Sequence, residues 1–410
     1  MKSKKQQGTK CSNCGASPTT HPDRDFIKDS EGLTLCESCI NFFNIAKDQI
    51  ISTRRVNNPE MIKGEIPHVF PEDIFNLLSK RVISQEEAKK TLSIAVAHHY
   101  RRLKDPSIGK SNILLIGPTG TGKTELGRGI ADILKVPFIS ADATTFTTKG
   151  YVGDDVDSVV LRLLASCNFD VKQAENGIIF IDEIDKIARR GTGDNQVGTV
   201  AVQQELLRLM EGDEVKVNIP SPESPTGHES IYVNTSKILF ICSGAFVGLE
   251  EIVKRGNSGS IGISSGVESP STDNFGQLLE SKHLIQYGVI PEFLGRLPVI
   301  AVTHKLTKED LIKILTDTDN SITNQYKKLF AQDKVLLEFT TDFFEEIATQ
   351  ALKKDLGARG LRQLIEVKMK EVFFNIKNYE GQTVQMTKDN VVVIKTTPKI
   401  KVEKIRAKKT

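Results

Sequence analysis

The sequence has almost no net charge, no long apolar run and few cysteines, and each shortage excludes something. Its 55 Lys and Arg against 52 Asp and Glu leave a formal charge of +3 over 410 residues. Even that small excess sits at the ends. Lys2, Lys4, Lys5 and Lys10 give the first ten residues +4, and the stretch from Lys399 carries +5, so the body between them stands at −6. A mildly acidic body argues against a dedicated nucleic-acid surface, which needs a basic stripe, and the ends read as solvated tails. The longest apolar runs, such as Ile113 to Ile116 and Ile178 to Ile181, fall far short of the ~20 residues that span a bilayer. No membrane partner is expected. The Lys-rich start is followed by no apolar segment of the signal type, which points to a cytoplasmic location. No internal repeat is apparent, and the length suits two to three domains.

The six cysteines are unevenly spread. Cys11 and Cys14 form one C-x2-C pair, Cys36 and Cys39 another, with 21 residues between the pairs. Two close thiolate pairs brought together match the tetrahedral demand of Zn2+. Two disulfides are the alternative, and they need an oxidising compartment. A metal staple also suits a segment of about 50 residues that is too short to bury a core of its own. Cys167 and Cys242 lie in apolar surroundings and read as core residues.

Residues 51–66 show turn residues and weak periodicity, as a linker does. Beyond Pro67, helix and strand signals alternate. Helices are expected at Glu86 to Leu103, Thr124 to Leu134 and Ser158 to Ala165. Strands are expected at Asn112 to Ile116, Phe138 to Ala141, Gly177 to Ile181 and Lys237 to Cys242. That alternation predicts an α/β fold with a parallel sheet. Residues 218–230 and 256–276, rich in Pro, Ser and Gly, read as surface loops. After Pro298, helices are expected from Thr307 through about Phe330, from Thr341 to Lys354 and from Ala358 to Ile376. With strands at Val335 to Phe339 and Asn390 to Ile394, they make a smaller α+β unit.

The motif Gly117-Pro118-Thr119-Gly120-Thr121-Gly122-Lys123-Thr124 fits G-x-x-x-x-G-K-[ST] between an expected strand and an expected helix. Glycines let backbone N–H groups close around phosphate, and the helix N-terminus adds partial positive charge. Lys123 would reach the β- and γ-phosphates of ATP, and the Thr124 hydroxyl would sit on Mg2+. Ile178 to Ile181 then runs into Asp182 and Glu183, the Walker B pattern. There Asp182 helps hold magnesium and Glu183 activates the attacking water. Gly150, Tyr151, Val152 and Gly153 place an aromatic between glycines in a loop. By itself this reads as an ordinary turn.

Taken in order, the four-cysteine module, GPTGTGKT, GYVG, IDEID at 181–185, PEFLGRLP at 291–298 and GARGLR at 357–362 resemble the ClpX family of AAA+ protein unfoldases over nearly the whole chain. The resemblance implies an N-terminal treble-clef or ribbon-like zinc module at 1–50. A large AAA+ P-loop domain at 67–305, a small α+β domain at 306–398 and a basic tail at 399–410 would follow. It implies a homohexamer that binds ATP, Mg2+ and Zn2+, unfolds tagged or adaptor-delivered proteins and feeds them to a ClpP-type peptidase. Arg296 would be the arginine finger, Arg359 the sensor-2 arginine, and Val82 with Ile83 the apolar pair on adenine. Glu125 would belong to the nucleotide-binding set, and Tyr151 would grip substrate in the pore. Ile261, Gly262 and Ile263 would form the peptidase-docking loop.

The chain departs from the family pattern at several points. Ser84 stands where Gly is usual after the adenine pair, and Ile263 where an aromatic is usual. SPTGHES keeps His228 without the usual basic pair, and Gly198-Thr199-Val200-Ala201 replaces a common Gly-Glu-Gly. The Ile-Gly-Ile loop keeps open a peptidase-independent remodelling chaperone. The zinc module keeps open a nucleic-acid-binding ATPase switch.

Overall fold

The computed structural model describes residues 10–12, 17, 26–28, 34–36, 69–105, 107–147, 154–188, 195–220, 228–258, 275–318, 321–389 and 391–394. The expectations for Cys14, Cys39, residues 150–153 and 261–263, the linker 51–66 and the tail 399–410 lie outside them. The described residues fall into two compact units. One takes in the chain up to Ile74, Lys90–Ile116 and Gly127–Val302; the other takes in Phe75–Lys89, Gly117–Leu126 and the chain from Thr303 onward.

In the first unit the strands are, in chain order, β1 (Phe26–Lys28), β2 (Thr34–Cys36), β3 (Ile113–Ile116), β4 (Phe138–Asp142), β5 (Phe146–Thr147), β6 (Asp154–Asp155), β7 (Ile178–Asp182), β8 (Glu214–Pro220), β9 (His228–Asn234), β10 (Leu239–Gly244) and β11 (Val299–Val302). Five of them form a parallel sheet in the order β11-β3-β10-β7-β4. Sequence explains the order of burial. The inner strands β3 and β10 are buried throughout, as is the Ile178 to Ile181 run of β7, and each of the three carries an unbroken run of four apolar residues. At the edge, β4 buries only Ile139 and Ala141, matching its alternating FISAD. Because the strands are parallel, β3, β7 and β10 all end on one side of the sheet, the side where open α/β sheets bind ligands. Cys167 and Cys242 are buried, as expected of core residues.

Two expectations in this unit are corrected. Residues 218–230 are not all loop: β8 and β9 pair antiparallel out to Pro220 opposite His228. The alternation of buried Val215 and Val217 with exposed Glu214 and Lys216 is a strand signal that carries on as far as Pro220. Likewise the ends of 256–276 belong to the helices Leu249–Ser258 and Phe275–Leu278.

The helix Glu86–Arg102 carries His99, fully buried in the first unit. Its Nε2 lies 3.0 Å from the Lys237 carbonyl, so that nitrogen must carry the proton, and Nδ1 has no partner among the described residues. Burial, reinforced by the charge of Lys110, pushes the imidazole down to about 3. As pH falls below about 6.5 the unfolded chain takes up a proton that folded His99 refuses. The stability it contributes is therefore complete above about 6.5 and is lost progressively toward about 3. His99→Gln, which keeps an N–H for Lys237, should remove up to about 1.4 kcal/mol per pH unit of acid sensitivity across that window. Denaturant titrations near neutrality and near pH 5 check this; parallel losses in both proteins would contradict it.

The second unit holds β12 (Leu336–Phe339), β13 (Thr383–Met386) and β14 (Val391–Ile394), with β12 parallel and β14 antiparallel to β13. Its core gathers Leu311, Leu315, Phe330, Ile347, Ile365 and Met369. The helical pattern expected from Thr307 through about Phe330 forms two helices, Lys308–Thr316 and Ile322–Gln332. Each has its own cap. Thr307 and Asp310 exchange hydrogen bonds in a capping box, and the Ser321 hydroxyl accepts from the Asn324 amide. The polar run Thr316-Asp317-Thr318 offers side chains that compete with backbone bonding, and the helix stops there. Among the described residues no helix is long and apolar enough to cross a membrane.

Candidate functional site

The phosphate-loop motif lies in the second unit, where the chain leaves β3. Gly117, Gly120 and Gly122 have φ of +150°, +81° and +93°. Space is as restrictive as backbone angle. A Cβ on Gly117 would lie 2.1 Å from Thr303 Oγ1 and 2.3 Å from its carbonyl oxygen, and one on Gly120 would lie 2.9 Å from the Leu356 carbonyl oxygen. Thr121 Oγ1 donates to the Pro118 carbonyl at 2.9 Å and lies 2.8 Å from Thr303 Oγ1, so the loop is pinned from below. The helix Lys123–Leu134 follows directly, so its N-terminus lies at the end of the loop. Lys123 is nearly buried and donates to the Gly117 and Pro118 carbonyls at 2.7 and 2.9 Å. Those two carbonyls hold the ammonium against the loop. Glu125, in the first turn, pairs with Arg81 at 3.6 Å.

Two further segments meet this loop inside the same unit. The amide of Ala358 donates to the Gly120 carbonyl at 3.0 Å, and Gly357 (φ +55°) backs onto Gly120 so closely that a Cβ would lie 3.0 Å from that carbonyl oxygen. The helix Gly357–Phe374 therefore starts at the loop and carries the exposed Arg359 in its first turn. On another side, buried Val82 would lie 3.4 Å from a Cβ on Gly122. Half-buried Ile83 follows it, and then Ser84 and Gln85 at φ +60° and +67°. A left-handed Ser84 explains why glycine suits that position. The buried Gln85 side chain clamps the turn. Its amide donates to the His304 carbonyl at 2.8 Å, and its oxygen accepts the His304 N–H at 2.9 Å.

In the first unit, β7 delivers the two carboxylates. Asp182 Oδ1 accepts from the Ser243 hydroxyl at 2.6 Å and from the Glu183 amide at 2.9 Å, fixing it in place. Glu183 is exposed and sits at φ +56°, a conformation that costs a non-glycine residue about 1–3 kcal/mol. The carboxylate is thus turned out of the strand line at the sheet's carboxyl edge. Asp185, buried, accepts the Ala245 amide at 3.2 Å and ties the following turn to the end of β10. Arg296 is exposed at the end of the helix Pro291–Gly295, its guanidinium 2.8 Å from Glu211.

Of the four cysteines, Cys11 and Cys36 are described and buried, and the Cys36 amide donates to Cys11 Sγ at 3.3 Å. An amide aimed at sulfur favours a thiolate acceptor, which fits a metal ligand. Among the described residues no group of three or more His, Cys, Asp or Glu is placed to hold a metal. Sequence reasoning missed Ser243, Gln85 and Thr303. Only Ser243 carried a local signal, ending the apolar run of β10 beside β7.

Residues 109–300 match the family model for the AAA domain (Cdc48 subfamily), and residues 306–377 match that for the C-terminal, D2-small domain, of ClpB protein. The ATP-dependent Clp protease ATP-binding subunit ClpX of Borrelia duttonii (strain Ly) is 41% identical over 416 residues, covering 97% of this chain and 94% of its own. The protein of that name from Treponema denticola is 38% identical over 385 residues, 91% of each chain. The ATP-dependent Clp protease ATP-binding subunit ClpX 2 of Wolinella succinogenes is 39% identical over 382 residues, 91% of this chain and 92% of its own.

Proposed function

The chain belongs to the ClpX family of AAA+ ATPases, and from that premise we propose that it is an ATP-driven protein unfoldase and translocase working as a homohexamer. The observation that carries the hydrolytic part is the pair at the end of β7, an Asp182 anchored by Ser243 beside a Glu183 held in strained, outward-facing backbone. Strain at such a residue is kept where function uses it.

In this reading ATP binds the 117–124 loop. Backbone amides of Gly120, Thr121 and Gly122 take the phosphates, with Pro118, Thr119 and Glu125 shaping the rim. Lys123 exchanges its two loop carbonyls for phosphate oxygens. Val82 and Ile83 flank the adenine, and Arg359 senses the phosphates. Thr124 and Asp182 are the residues that would hold Mg2+, whose charge offsets that of the phosphates. Glu183 takes the proton from the attacking water. Arg296 serves the ATP of the neighbouring subunit, so turnover depends on assembly. Relative movement of the 67–305 and 306–398 domains then shifts the pore loop, and Tyr151 between Gly150, Val152 and Gly153 drags the polypeptide.

The cysteine set Cys11, Cys14, Cys36 and Cys39 would hold Zn2+ in a substrate- or adaptor-capturing module. Ile261, Gly262 and Ile263 would dock a ClpP-type peptidase, in the cytoplasm, with no role for nucleic acid. A peptidase-independent remodelling role is the second reading, favoured by Ile263 in place of an aromatic. Tyr151→Ala should keep ATP hydrolysis within about twofold while cutting the unfolding rate of a tagged folded protein at least about tenfold. Unchanged unfolding would remove Tyr151 from the gripping role.

A further inference from the structure

Arg296 is held at two points, and both holders come from other parts of the first unit. Its carbonyl accepts from the side-chain amide of Asn112 at 3.0 Å. Asn112 is itself buried, and its oxygen accepts the Phe240 amide of β10 at 3.4 Å, so the backbone of Arg296 is tied to the central sheet. At the other end, Nε and Nη2 of the guanidinium both donate to one oxygen of Glu211, at 3.1 and 2.8 Å. Glu211 is the last residue of the helix Asn195–Glu211.

A guanidinium has five N–H donors in a planar fork. Pairing through the Nε/Nη2 side commits one edge and leaves the Nη1/Nη2 edge facing away from Glu211. Nη1 makes no hydrogen bond among the described residues, and about half of the side chain is exposed. An ion pair this exposed adds little to stability, so its consequence is orientation. A long side chain that would otherwise sample many rotamers is presented in one direction.

We infer that Glu211 is a positioning residue for Arg296, holding the guanidinium so that its unpaired edge is offered to the phosphate of a nucleotide on a neighbouring subunit, with Asn112 fixing the backbone beneath it. This rests on the reading of Arg296 as the residue supplied in trans. Glu211 acts through Arg296.

The test uses the full-length assembled protein at subunit concentrations that saturate hydrolysis. Glu211→Ala should lower kcat about tenfold with KM for ATP within about twofold, the pattern of a lost transition-state interaction. Glu211→Gln keeps an acceptor oxygen and should recover most of the rate, which a loss of charge or fold would not allow. In an Arg296→Ala background, Glu211→Ala should cost nothing further. A wild-type or raised kcat in Glu211→Ala, or an additive loss in the double variant, overturns the inference. The two levels separate cleanly. If Arg296→Ala itself hydrolyses ATP normally, the trans assignment has failed; if Arg296→Ala is inactive while Glu211→Ala is normal, only the positioning role has.

Discussion

Glu183→Gln should lower ATP turnover by about 10³-fold while leaving nucleotide affinity nearly unchanged, because it removes a general base and nothing else. The substitution is isosteric, so the left-handed backbone at φ +56° and the Asp182 hydrogen bonds from Ser243 and the residue-183 amide are all preserved. What disappears is the capacity to accept a proton. Phosphate release and titration with a fluorescent nucleotide separate the two effects. Hydrolysis at the wild-type rate would remove Glu183 from the mechanism, and with it the reason for tolerating strain at the end of β7.

Gly117→Ala should weaken ATP binding by at least about 10²-fold. The added Cβ would stand 2.1 Å from Thr303 Oγ1 and 2.3 Å from the Thr303 carbonyl oxygen, and the second of these is backbone that cannot rotate aside. Nor does φ +150° suit an L-residue. Relief requires the loop to move off Thr303, which also breaks the Thr121 contact at 2.8 Å and displaces the two carbonyls that hold Lys123. Gly109→Ala is the control. Nothing lies within 4 Å of a Cβ there, and affinity should be unchanged. Wild-type affinity in Gly117→Ala would mean that the loop's shape is not what selects the phosphates.

These two residues differ in how far sequence alone reaches them. The inner strands were legible because burial on both faces writes an unbroken apolar run, and the phosphate loop because its glycines and lysine have fixed spacing. The hairpin of β8 and β9 was obscured where Pro and Ser fall inside a good alternation, and the helix break at Thr316 to Thr318 where turn-forming side chains sit in a helical pattern. What sequence could not supply is the support of the site. Thr121 and Thr303 are 182 residues apart, and Gln85 and His304 are 219 apart. No local period encodes such a contact; only the fold brings those polar groups together. Arg296 is a similar case, since its meaning came from its motif and its two holders, Asn112 and Glu211, came from packing.

The near-neutral total charge, with its acidic body, suits a chain that handles many unrelated polypeptides better than one built to hold a polyanion. Whether it does so is read most directly from the native fluorescence of a folded, tagged protein mixed with this chain and Mg-ATP, with and without a ClpP-type peptidase. Fluorescence should fall only when ATP is hydrolysed, and fragments should appear only when the peptidase is present. Fluorescence that persists while ATP is consumed would contradict an unfoldase.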